Sequence, residues 1–144
     1  NAAIREAQRL VPPVPIFFRN SSAFEEVELG GYALPPDTLC LVNSWGLHRD
    51  PVHWDHPQHF RPGRWLEPGF REANRYGSDW FLPYGRGGRA CSGAKLAVFS
   101  ITSELASLLL RARVRITNPF AQEERLFGSV LALNGLRAHI GASS

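Results

Sequence analysis

The stretch Pro83-Tyr84-Gly85-Arg86-Gly87-Gly88-Arg89-Ala90-Cys91-Ser92-Gly93 decides how this 144-residue chain is read. Three glycines and a proline precede a single cysteine, and a long apolar segment follows at residues 94–111. Glycine accepts positive φ and lets a backbone approach a flat ligand closely. A cysteine at the mouth of a helix has its thiolate stabilised by the free amides and the helix dipole. Arg89, two residues before Cys91, can pair with an anion beside the sulfur.

Close backbone approach, a thiolate and a nearby cation together suit one large ligand, haem, with iron on sulfur and a propionate on the guanidinium. A phosphate-binding loop does not fit, because cysteine stands where such a loop carries Lys-Ser/Thr. The chain's two cysteines make a poor disulfide framework. Cys40, within Thr38-Leu39-Cys40-Leu41-Val42, reads as a small buried hydrophobe. A Cys40–Cys91 bridge would leave the glycine-arginine setting of Cys91 without a use.

Composition sets the outer bounds. Apolar residues make up 44%, within the globular range, and the length allows one domain with a real core. A net charge of +3 is too mild for a nucleic-acid binder, so none is expected as a partner. Fifteen of the sixteen basic residues are arginine, with Lys95 the single lysine. Arginine suits propionates and buried ion pairs better than lysine does, although a GC-rich genome explains the same bias. The chain has no methionine and opens on Asn1, which reads as a piece of a longer protein. No signal peptide precedes the first prolines, and Lys95 and Glu104 interrupt the longest apolar run below membrane-spanning length.

The pattern outside the loop predicts an α+β chain. Residues 1–11 read as the end of a helix, with Ile4, Ala7 and Leu10 on one face and Arg5, Glu6 and Arg9 around it. Pro12, Pro13 and Pro15 stop it. Residues 12–47 carry strands at 14–18, 27–29, 32–34 and 38–42, with Gly30-Gly31 as a two-residue hairpin turn. Residues 48–80 form a long meander rich in Pro, Gly, His and Arg. Residues 81–93 form the cysteine loop, and 94–111 read as a long buried helix because apolar or small residues occupy nearly every face. Residues 112–144 are a β tail, with a first strand near 111–116 and others near Phe127–Leu133 and Leu136–Ile140, the last after an Asn134-Gly135 turn. His53, His56 and His59 recur every third residue, but Pro57 breaks helical geometry and no further ligand completes a zinc site.

At this point the sequence resembles the cytochrome P450 superfamily. The family's F-x-x-G-x-R-x-C-x-G is matched by Tyr84, Gly87, Arg89, Cys91 and Gly93. Its E-x-x-R appears as Glu6 and Arg9, followed by Pro12-Pro13. Its P-x-R-[FW] appears as Pro62-Gly63-Arg64-Trp65, preceded by His48-Arg49-Asp50-Pro51 and by Trp54, Pro57 and Phe60. Tyr84 departs from the usual Phe, adding a hydroxyl that needs a partner if buried, and Ser92 departs from the usual apolar residue. The resemblance implies the C-terminal portion of a mostly helical fold. The family's oxygen-activating helix lies outside it.

The resemblance also implies roles. Cys91 would be the axial iron ligand of haem b, pushing electron density onto iron. Arg89 would pair with a propionate, with Arg19 as a second candidate that could equally be a surface residue. Gly85, Gly87 and Gly93 would allow close approach, and Tyr84 would shield the thiolate face. Glu6, Arg9 and Arg64 would form a buried structural charge network. Val14, Ile16 and Phe17 would line a substrate pocket, joined by Val130 from a hairpin tip at Ser129–Leu131.

The implied activity is monooxygenation of a small apolar organic substrate, with electron transfer from a reductase or ferredoxin. The remaining N-terminal portion, or a second chain, would complete the enzyme. A non-catalytic haem-binding module, and a peroxygenase or hydroperoxide-rearranging enzyme, are the competing readings. Localisation stays open between the cytoplasm and the cytosolic face of a membrane.

Overall fold

The computed structural model describes residues 1–118, 123–127, 130–134 and 137–142. Helix α1 (Ala2–Leu10) uses strong helix formers, and Val11 closes it by donating its N–H to the Ala7 carbonyl at 2.7 Å before the prolines begin. Strand β1 (Ile16–Asn20) follows. Strands β2 (Val27–Leu29) and β3 (Tyr32–Leu34) then form a hairpin whose turn residues Gly30 and Gly31 take φ of +60° and +83°. Glycine is the residue that adopts this pair of angles without strain. Strand β4 (Leu39–Asn43) returns antiparallel to β1, with Arg19 opposite Cys40.

A short helix α2 (Ser44–Leu47) opens the meander. The Ser44 hydroxyl donates to the Pro15 carbonyl at 2.8 Å, tying the proline run to the end of β4. The meander is paved with aromatic rings. Trp54, Trp65 and Phe81 are buried against one another, with Phe70, Tyr76 and Trp80 packed around them. It contains a 3-10 turn at Pro62–Leu66 and helix α3 (Phe70–Ala73). The cysteine loop starts from this core at Phe81 and ends where α4 (Ala94–Arg111) begins.

Strand β5 (Ala112–Ile116) leaves α4 directly. Strands β6 (Glu123–Phe127) and β7 (Val130–Asn134) pair with each other, and β8 (Ala138–Ala142) pairs with β5. The single strand expected near Phe127–Leu133 is therefore divided between β6 and β7. Ser129, the first residue of the hairpin tip read at Ser129–Leu131, and Gly135, the second of the Asn134-Gly135 turn, lie outside the described residues.

Three expectations need correction. No residue of α4 is buried: Leu96, Phe99 and Leu110 are 68%, 69% and 79% exposed. Its apolar residues encircle the helix, and the chain covers only part of that circumference. The second correction is in α1. Ala7 is exposed, while Glu6, Gln8 and Arg9 are buried beside Ile4. Its inward face is polar because the meander offers it carbonyls and ring donors. Cys40 is half-buried rather than buried.

Candidate functional site

The cysteine loop is shaped by its own backbone hydrogen bonds. The Cys91 N–H donates to the Tyr84 carbonyl at 2.9 Å, and the Ala90 N–H to the Gly87 carbonyl at 3.0 Å. Gly85 and Gly87 take φ of +70° and +72°, a region where any larger residue would be strained. The loop therefore curls and leaves Cys91 exposed as a free thiol; Cys40 is also free. Gly93 lies so near the sulfur that a Cβ there would stand 3.8 Å from Cys91 Sγ.

Strand β1 forms the opposite wall. Arg19 Nη2 donates to the Arg89 carbonyl at 3.3 Å, linking the strand to the loop across 70 residues of sequence. Between them lies a cleft of about 370 Å³, lined by Pro13, Val14, Phe17, Arg19, Leu82, Pro83, Tyr84, Gly85, Arg89 and Cys91. Ile16, expected in the same pocket, is not among the lining residues. Strand side chains alternate, so it stands on the other face of β1 from Phe17 and Arg19. Gly87 and Gly93 shape the loop without lining the cleft. The side chain of Val130 lies outside the described residues.

The loop is anchored from behind by groups the sequence reading did not single out. His48, fully buried, accepts the Leu82 N–H on Nε2 at 2.8 Å. The neutral ring therefore carries its proton on Nδ1, which is buried without a hydrogen-bond partner among the described residues. Burial and then the neighbouring Arg9 charge push the His48 pKa down to about 4. Gln8 donates to the Tyr84 hydroxyl at 2.6 Å and accepts from the Tyr76 hydroxyl at 2.9 Å. Both residues sit inside motifs quoted above, but no local sequence signal shows what they touch. Their partners are between 34 and 76 residues away.

Beneath the loop, Glu6, Arg9 and Arg64 come together with side chains at most 2% exposed. Arg9 forks onto both Glu6 oxygens at 2.9 and 3.0 Å and reaches the carbonyls of His48, Pro57 and His59. Arg64 Nε, Trp65 Nε1 and the Arg61 N–H also donate to the Glu6 carboxylate, at 3.2, 2.9 and 2.9 Å. Burial alone would raise the Glu6 pKa. The hydrogen bonds from Arg9, Arg61 and Trp65, with the Arg9 charge, outweigh it and hold the carboxyl below its ordinary range. Of the meander histidines, His53 bonds the Asn74 amide at 2.7 Å and stacks on Trp80, while His56 stacks on His59.

Comparison with known proteins places this arrangement. The family model described as Cytochrome P450 matches residues 1–137. The chain belongs to the cytochrome P450 family. It is 40% identical over 110 residues to a 3-hydroxyindolin-2-one monooxygenase of Zea mays, covering 75% of this chain and 20% of that protein. It is 38% identical over 126 residues to a 2-hydroxyisoflavanone synthase of Glycine max, covering 84% of this chain and 24% of that one. A zebrafish cytochrome P450 solved with progesterone superposes with a TM-score of 0.80 at 32% identity, over 99% of this chain and 31% of that one. The P450 chain thus spans about a quarter or less of the length of these two curated relatives.

Family membership implies a haem cofactor, and the cleft residues fit one. A free, exposed thiol, two arginines, an apolar wall and a loop turned by positive-φ glycines surround one cavity. Among the described residues no group of three His, Cys, Asp or Glu could hold a lone metal ion, and no helix is long and apolar enough to cross a membrane.

Proposed function

We propose that this chain is the haem-ligating part of a P450-type monooxygenase, with Cys91 as the axial thiolate ligand of haem b. The observation that carries the reading is the convergence of Cys91, Arg89 and Arg19 on one apolar cleft, although Arg19 comes from a distant strand. Arg89 and Arg19 would hold the propionates as charged, forked donors. Gly85 keeps the loop low enough for close approach, and Val14 and Phe17 exclude water and receive an apolar organic substrate. When bound, haem supplies dioxygen activation, with electrons from a reductase or ferredoxin, for insertion of one oxygen atom.

The names of the relatives support monooxygenation, and the steroid in the zebrafish structure supports a small apolar substrate class. A missing N-terminal portion, or a second chain, would supply the rest of the enzyme.

Titration of the haem-free protein with haem tests this. Arg19→Ala and Arg89→Ala should each weaken binding by at least about tenfold, the scale of a lost hydrogen bond to a charged group. Unchanged affinity in both variants would remove the cleft as the haem site. Product formation with a hydroperoxide but not with dioxygen and a redox partner would favour the peroxygenase reading.

A further inference from the structure

Tyr84 touches two things at once. Its carbonyl accepts the N–H of Cys91 at 2.9 Å, and its hydroxyl accepts the Gln8 amide at 2.6 Å. Gln8 is 7% exposed and stands on α1, the helix anchored by the buried Glu6–Arg9 network. Its other amide atom accepts the Tyr76 hydroxyl at 2.9 Å. Hydroxyls both donate and accept, so either orientation of the amide links the same three residues. Tyr76 is itself held. Arg5 lies 4.1 Å over its ring, Phe81 stacks on it at 5.3 Å, and the Tyr84 ring meets it edge-on at 5.4 Å. A buried amide with both ends satisfied has one favourable placement, because breaking either bond leaves a desolvated polar atom.

We propose that Gln8 is a positioning residue for the cysteine loop, acting through the Tyr84 hydroxyl on the backbone that holds Cys91. The inference rests on the reading of Cys91 as the haem ligand, and it adds a link from α1 to the loop. A phenylalanine at position 84 would fill the same space and could not make this link.

The test uses the whole chain. The hydrogen-exchange rate of the Cys91 amide, which donates to the Tyr84 carbonyl, is measured in the haem-free protein for Gln8→Leu, Tyr84→Phe and the double variant. Each single variant should speed exchange about fivefold, the scale of one lost hydrogen bond, and the double variant should add nothing further. In the haem-loaded protein the same variants should raise the thiol-type fraction of the reduced carbon monoxide spectrum. Unchanged rates, or effects that multiply in the double variant, would overturn the proposal. If Gln8→Leu does not fold, Tyr84→Phe decides alone, since it removes one oxygen atom and keeps the ring. Failure of the haem reading would look different: the spectrum would ignore Cys91→Ser while the exchange coupling stood.

Discussion

The meander side and the α4 side of this molecule reverse the usual arrangement of polar and apolar residues. Under α1 the chain buries Glu6, Arg9, Arg64 and His48 together with three aromatic rings. Along α4 it exposes Leu96, Phe99, Leu109 and Leu110. The difference lies in who supplies the partners. Every charge in the buried network finds its counterpart in the chain itself, down to the carbonyls of His48, Pro57 and His59. The apolar surface of α4 does not find its cover among the described residues. The scaffold of the cysteine loop is thus self-sufficient on one flank and open on the other.

The largest effect should come from breaking the closed flank at its centre. Glu6→Gln leaves Arg9 and Arg64 buried without their carboxylate, and should cost about 3–5 kcal/mol in urea unfolding. A loss below 1 kcal/mol would mean that the network is solvated and that the contrast between the flanks is false.

Next comes acid. His48 has an ordinary pKa of 6.5 when unfolded and about 4 in the fold. Between those values the unfolded chain binds a proton that the folded chain refuses, so stability falls as pH drops through this window. Charging the ring would also put a proton where the Leu82 N–H now points. The full loss is about 3 kcal/mol, from 1.36 kcal/mol per unit. The urea midpoint should therefore slide downward from pH 6.5 to 4, and His48→Gln should flatten that slope. Glu6, whose pKa is also lowered, contributes stability that disappears only as pH falls through its own, more acidic range. A variant with an undiminished slope between pH 6.5 and 4 would assign the acid sensitivity elsewhere.

The smallest effect belongs to the open flank. Leu109→Gln on α4 should change the unfolding free energy by no more than about 0.5 kcal/mol, and should reduce self-association in light scattering. A loss of several kcal/mol would show that α4 is covered in solution.

Much of this was legible in the sequence because it is local. Glycines at 85 and 87 before Cys91 announce a curled loop, and Gly30-Gly31 between two apolar runs announces a hairpin. The spacing of Glu6 and Arg9 puts the two side chains within reach on one helix. What stayed hidden depends on distant partners. The apolar periodicity of α1 pointed to Ala7, whereas the meander's carbonyls and indole drew the polar residues inward. Gln8 carries no signal that it meets Tyr76 and Tyr84. The uniform apolarity of α4 suggested burial, but composition states only what a helix could bury, and neighbours decide whether it does. Ile16 was misplaced because a strand's alternation can be read from sequence while its phase relative to a cleft cannot.

The central claim is that the Cys91 sulfur is the iron ligand. The absorption spectrum of the reduced carbon monoxide complex, wild type beside Cys91→Ser, tests it most directly. The account predicts a thiolate-type band in the wild type that is absent from the variant. An identical spectrum in both proteins would contradict it.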